Sequence, residues 1–150
     1  MAIEDIGLAD PKAVEQAIAC MQTVHFLGEP EGDQALVQLA LYLALAPKSD
    51  AAYRAFNSAN TAIESTKQEP VPLHLRNAPT RLMKEMGYAK GYEHAHKELD
   101  AVTDMNCMPD ALAGRVFYEP TNRGFEQRLG ERLDWLKQRR LKKSAERNSD

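Results

Sequence analysis

Residues Val71 to Tyr92, VPLHLRNAPTRLMKEMGYAKGY, constrain this chain more than any other stretch. Val71, Leu73 and Leu75 alternate with Pro72, His74 and Arg76, which reads as an extended strip with one apolar edge. Pro72 cannot sit inside a helix. Asn77 and Pro79 predict the opening of a short helix, because Asn is a strong N-cap and Pro is tolerated in the first turn. Leu82, Met83 and Met86 give that helix an apolar side, and Gly87 can close it in the left-handed conformation. A tight glycine- and tyrosine-containing segment, Tyr88 to Tyr92, follows. Whatever surrounds this irregular segment has to be built to hold it.

Helical periodicity supplies the surroundings. Asp10-Pro11 reads as an N-cap and first helical residue, and Val14, Ile18 and Met21 share one face of a helix that Gly28 ends. His25 lies on that face and reads as a core-edge histidine rather than a ligand, since no partner motif accompanies it. Glu29 to Asp33 is a short connector. Ala35 to Ala46 is apolar nearly all round and predicts the buried centre of a bundle. Pro47 stops that helix and Ser49 caps the next. Ala52, Phe56, Ala59 and Ile63 make its inward stripe, and a polar turn from Lys67 to Pro70 ends it. A Pro-Lys-Ser link between consecutive helices predicts a hairpin, so three helices pack together with the strip Val71 to Leu75 lying across them. Pro109 to Leu112 fits one helical turn. Thr121 or Asn122 caps a last helix, whose Phe125, Leu129, Leu133 and Leu136 recur at helical spacing. The reading is all-α: a small helical bundle with long irregular connecting segments.

A chain of 150 residues fits one domain and has the length to bury a real core. The net charge of -3 is unevenly spread. Lys137, Arg139, Arg140, Lys142, Lys143 and Arg147 against Glu146 give the segment 137–147 a charge of +5, leaving -8 elsewhere. Two readings of that run stand: a DNA contact through Lys137, Arg139, Arg140, Lys142 and Lys143, or a solvated helix end whose cations suit the helix dipole. Trp135 and Leu136 also admit two readings, a subunit contact or packing on the chain's own core. Cys20 and Cys107 lack CxxC spacing and read as free thiols. His94 and His96 form an HxH pair with no third ligand at metal spacing. The apolar run Ala35 to Ala46 is too short to span a bilayer.

Four stretches resemble one family. VPLHLRNAPTRLMKEMGYAKGY is similar to the signature of the C-terminal region of the RarA/MgsA family, the replication-associated recombination ATPases, which include the Werner-helicase-interacting protein. Glu4 to Asp10 (EDIGLAD), Tyr42 to Ser49 (YLALAPKS) and Phe117 to Phe125 (FYEPTNRGF) agree with the same family in the same order. The matching signature positions are Pro72, His74, Leu75, Arg76, Asn77, Ala78, Pro79, Thr80, Lys84, Gly87 and Tyr88, to which a structural role is carried over. The sequence departs from the pattern at Ala89, where glycine is usual, and between Thr103 and Met108, where aromatic residues are often found. The family usually keeps a histidine where His96 stands, which points to an orienting hydrogen bond.

The resemblance implies a helical domain similar to the clamp-loader C-terminal collar, which holds subunits together. Residues 1–9 are then the junction from an ATPase lid outside this chain, 10–143 the oligomerisation domain and 144–150 a disordered tail. The resemblance implies a tetramer, with single-stranded-DNA-binding protein and DNA as partners of the parent protein. The setting is stalled replication forks in the cytoplasm, at the nucleoid, with no membrane. No G-x-x-x-x-G-K-[ST], G-x-S-x-G or H-E-x-x-H occurs in the sequence, so no catalytic, cofactor-binding or metal residue is assigned. ATP and Mg are implied for the parent, a DNA-dependent ATPase.

Overall fold

The computed structural model describes residues 1–66, 69–98 and 100–147. The expected polar turn therefore falls partly outside the described residues, at Lys67 and Gln68. So does the end of the expected tail, residues 148–150. Among the described residues there are five α-helices: α1 (Lys12–Leu27), α2 (Glu31–Leu45), α3 (Ala51–Ser65), α4 (Arg81–Glu85) and α5 (Glu126–Arg147). Short 3-10 turns lie between them at Leu73–Leu75, Ala95–Lys97 and Asp110–Leu112. Among the described residues there is no strand, so the fold class is all-α as the periodicity indicates. Backbone proximity divides the chain into two units, Met1–Asn60 with Val116–Arg132, and Thr61–Arg115 with Leu133–Asp150.

In the first unit the chain starts in two tight turns. Ala2–Ile6 forms a single π-helical turn and Gly7–Ala9 a 3-10 turn, and together they bury Ile6 and Ala9. Asp10 does cap α1, one residue outside the helix as assigned. Its Oδ1 accepts from the Lys12 N–H at 3.1 Å while its Oδ2 accepts from the Tyr42 hydroxyl at 2.6 Å. That second bond ties the start of α1 to the end of α2 and raises the Tyr42 pKa, chiefly through the bond itself. Gly28 ends α1 at φ 69, and α2 turns back against it. The closest approach is at Gly32, where an added Cβ would lie 3.1 Å from Val24 Cα. The Pro47 stop after α2 is as read, with Ala46 already extended at ψ 143.

The faces are not as read. The periodicity assigned Val14, Ile18 and Met21 to the inside of α1, but Ala13 and Cys20 are the buried residues there and Met21 is 63% exposed. It assigned Phe56 and Ile63 to the inside of α3, but both are exposed and Ala51 and Ala62 are buried instead. Helix α2, expected to be the buried centre, buries only Gly32. Close backbone packing between elements joins α1 to α2 and to the N-terminal turns, and α3 does not close onto them as a third helix. In α1, α2 and α3 the buried residues are small and the large apolar ones are mostly exposed. Among the described residues the buried hydrophobic side chains are Ile6, Ala9, Ala13, Cys20, Ala51, Ala62 and Val102. The chain alone does not build the core that its length allows.

What fixes the first unit is a close backbone approach. Gly124 has φ 54, and a Cβ there would overlap the Ala9 carbonyl oxygen and come within 2.7 Å of Pro47 Cγ. The next residue, Phe125, donates its N–H to that same Ala9 carbonyl at 2.7 Å. Gly124→Ala is expected to destabilise the protein by about 2–4 kcal/mol, combining left-handed strain with overpacking. Denaturant unfolding of the two proteins at equal concentration checks it, and an unchanged midpoint would mean the contact gives way at no cost.

Candidate functional site

Glu126, the first residue of α5, is fully buried. Four donors surround its carboxylate. The Thr121 N–H and hydroxyl reach Oε2 at 2.8 and 2.7 Å, the Ser49 hydroxyl reaches Oε2 at 2.8 Å, and the Tyr118 hydroxyl reaches Oε1 at 3.1 Å. Burial alone would push the Glu126 pKa up, but the bonds from Thr121, Ser49 and Tyr118 outweigh it and hold the carboxyl below its ordinary value. Burial, with the Glu126 charge beside it, pushes Tyr118 up to about 12. Ser49 uses both ends of its hydroxyl, since Oγ also accepts from the Ala51 N–H at 3.2 Å, the first amide of α3. The expected cap at Ser49 is found, since it bonds the start of α3. Neither Thr121 nor Asn122 caps α5, which begins only at Glu126; Thr121 instead donates to the side chain of that first residue. The stretches YLALAPKS and FYEPTNRGF meet at this carboxylate, which periodicity does not point to.

The signature segment lies in the second unit. Val71 to Leu75 is not a plain extended strip, because Leu73–Leu75 closes a 3-10 turn. Arg76 folds back on its own segment: Nε donates to the Val71 carbonyl at 2.6 Å, Nη1 reaches the Tyr88 hydroxyl at 3.3 Å, and the guanidinium lies 5.3 Å from the Tyr88 ring centre. Leu73 accepts from the Ala89 N–H at 3.0 Å, so the segment is a closed loop. His74 Nε2 contacts the Asn106 carbonyl at 2.8 Å. The helix cap is Thr80, whose hydroxyl accepts from the Met83 N–H at 3.3 Å, not the expected Asn77, which is exposed. Pro72 and Ala78 are half-buried, while Pro79 and Lys84 are exposed. Gly87, at φ 86, closes α4 as read. Ala89 adopts φ 59, the left-handed region that its glycine-rich neighbourhood favours and that an alanine pays for in strain.

The second unit also holds most of the basic run. Arg139 pairs with Asp100, and Lys143 pairs with Glu98 at 2.6 Å and Asp100 at 3.2 Å. Arg140 donates to the Thr103 carbonyl at 3.1 Å and the Met105 carbonyl at 3.4 Å. Arg147 pairs with Glu93 and lies 2.9 Å from buried Asp104 Oδ1, without hydrogen-bond geometry. The hydrogen bond from Arg139 holds the Asp100 carboxyl at about 2, with Lys143 adding to it against the opposing effect of burial. This is a latch between the end of α5 and the loop of residues 93–108. Three of the five residues considered for DNA, Arg139, Arg140 and Lys143, face that loop; Lys137 and Lys142 are exposed. Lys143 is 14% exposed, so it is not a solvated helix end either. Trp135 is 39% exposed and Leu136 half-buried.

His94 stacks edge-on against Tyr92 with ring centres 4.8 Å apart, and His96 is exposed. Among the described residues no group of three His, Cys, Asp or Glu side chains is placed to hold a metal. Cys20 is buried and Cys107 exposed, both as free thiols. No described helix is long and apolar enough to cross a membrane.

A buried carboxylate, a self-closed signature loop and a charged latch are the fixed points of this helical chain. Residues 1–137 match the family described as MgsA AAA+ ATPase C terminal, and the chain belongs to that family. It is 46% identical over 138 residues to the replication-associated recombination protein A of Coxiella burnetii, covering 91% of this chain and 31% of that protein. The Escherichia coli K12 protein of the same name is 46% identical over 137 residues, with coverage of 91% and 31%. The ATPase WRNIP1 of Dictyostelium discoideum is 43% identical over 121 residues, covering 79% of this chain and 14% of that one. The chain spans less than a third of the length of these relatives.

Two outcomes test the site. Ser49→Ala is expected to cost about 1–3 kcal/mol and Glu126→Gln more, because each leaves a buried partner unmade. Since both changes break one network, the double variant should lose less than the two losses added, and strict additivity in denaturant melts would deny the network. The latch has a pH signature. Asp100 titrates at about 2 in the fold and near 3.8 when free, so its stabilisation is full above about pH 4 and is lost as pH falls from there toward 2. Amide exchange in the last turns of α5 should accelerate over that window, and Asp100→Asn should remove the pH dependence.

Proposed function

We propose that this chain is the oligomerisation domain of a AAA+ ATPase that acts in DNA replication, recombination and repair, and that it assembles as a tetramer with a collar-like role. The observation that carries the reading is surface. The chain exposes 11376 Å². A compact protein of its mass would expose about 7,700 Å², and two separate compact bodies of half that mass about 9,200 Å². The excess over even the second figure is about 2,100 Å², whereas a standard interface buries about 800 Å² per partner. That is room for two interfaces per chain, which is what a closed tetramer uses. The exposed surface includes Phe26 at 88%, Leu45 at 85% and Met21 at 63%, side chains that water penalises heavily when left uncovered.

Catalysis belongs elsewhere in this reading. The sequence holds no phosphate-cradling loop, so ATP and Mg are assigned to ATPase modules of the parent protein, outside these residues. The name carried by the bacterial relatives supports replication-associated recombination as the setting, at stalled forks with single-stranded-DNA-binding protein and DNA as the parent's partners, in the cytoplasm at the nucleoid. DNA affinity is likewise assigned to the parent, because Arg139, Arg140 and Lys143 already face carboxylates and carbonyls.

Light scattering of the chain at tens of micromolar, on the order where mass action favours assembly, should return four times the chain mass. A monomer there would count decisively against the reading. In the same preparation, single-stranded DNA should be retarded weakly or not at all near the physiological salt of about 0.15 M; tight retardation abolished by removing residues after Leu136 would promote the basic run to a functional site.

A further inference from the structure

Helix α2 has two apolar sides and uses one. Its inner side, Ala35, Gln38, Leu39 and Tyr42, lines a shared cavity with Gln16, Ala19, Cys20 and Thr23 of α1. Half a turn away lie Val37, Ala40, Leu41 and Ala44, flanked by Leu36 and Leu45. All six are exposed, Val37 and Leu41 by 60% each. From Gln34 to Pro47 there is no charged residue. Beside this side runs a groove of about 470 Å³ whose walls include Leu36, Ala40, Leu43, Ala44 and Met1, with Lys48 at one end.

We propose that the outer face of α2 pairs with the same face of a second copy of this chain, antiparallel across a two-fold axis. The inference rests on the reading of the chain as an oligomerisation domain and assigns the face that reading leaves open. Charge selects the partner and its direction. Glu31 and Asp33 stand in the first turn of α2 and Lys48 just beyond its end. A parallel pair would set like charges side by side. An antiparallel pair sets the acids of each copy beside Lys48 of the other and opposes the two helix dipoles. Placing Asp33 across from Lys48 fixes the register. Val37 then meets Ala44 and Leu41 meets Ala40, a large side chain against a small one at each step, which lets the two helices approach closely. Two copies of one helix therefore supply both the knob and the space for it. A membrane does not fit the face, since the apolar run is short and no cationic rim borders it.

Self-pairing through one patch is isologous. It makes a dimer, and a tetramer built on it is a pair of dimers that joins through a second face, not a ring of four head-to-tail contacts.

Three variants of this chain test the assignment by light scattering and oxidative crosslinking. Ala44→Glu places a charge at the centre of the face, and should at least halve the assembled mass while leaving helix content by circular dichroism unchanged. Ala40→Cys, made in a Cys107→Ser background, should form an interchain disulfide on mild oxidation, because the register brings the two copies of position 40 together near the axis. Trp135→Glu should leave the α2 pairing, and so that crosslink, intact. An assembly that survives Ala44→Glu with no crosslink through position 40 overturns the α2 face while the oligomerisation reading stands. A wild-type monomer overturns both and assigns the face to the rest of the parent protein. Where Ala44→Glu does not fold, the crosslink decides.

Discussion

A single carboxylate, that of Glu126, organises the first unit. It is buried, and hydrogen bonds from Ser49, Thr121 and Tyr118 stabilise its charge. Such a group is costly to bury unless every acceptor position is satisfied, and here the donors come from two distant parts of the chain. Ser49 follows α2, and Thr121 precedes α5. The carboxylate therefore closes a loop of more than seventy residues at one point, with Gly124 fitted against the Ala9 carbonyl beside it. A unit whose buried apolar residues are mostly alanines has little else to hold these segments in register.

The existence of the helices and much of their punctuation were legible in the sequence. Asp10, Gly28, Pro47 and Gly87 all act where their chemistry puts them. The faces were not legible, and the reason is physical. Periodicity ranks a face by the size of its apolar side chains, and the largest stripes, Ile18 and Met21 on α1 and Phe56 and Ile63 on α3, point outward. A stripe destined for another subunit has the same composition as one destined for the chain's own core. What separates the two is which side approaches a neighbouring backbone closely, and in this chain that side carries Ala13, Cys20, Gly32, Ala51 and Ala62. The signal was present in the sequence as small residues at helical spacing, but small residues carry little weight on a hydrophobicity scale.

The basic run shows the same limit for charge. Lys137 to Arg147 looks solvated when read along the helix, because no compensating acid lies at i+4 for most of it. The acids are Glu93, Glu98, Asp100 and Asp104, about forty residues upstream. Among the described residues of their loop Val102 is the buried apolar one, and the latch supplies the rest of its anchorage. A loop fixed mainly by ion pairs keeps its place only while both partners stay charged and solvent screening is modest, which makes it the part of the second unit most responsive to conditions.

These features bear on how folding and assembly are linked. A chain with so small a buried set has little hydrophobic stabilisation to set against the entropy of ordering its backbone. Exposed apolar surface such as that of Val37, Leu41 and Phe26 contributes to stability only once it is covered. A partner that binds the folded form and not the unfolded one adds its binding free energy to the stability of the fold. Under the proposed assembly, self-association does more than join finished domains: it completes their cores. Within the first unit the carboxylate of Glu126 fixes its segments, and within the second the self-closed signature loop and the latch on α5 do so. That arrangement explains why the invested polar contacts are internal while the large apolar side chains face out.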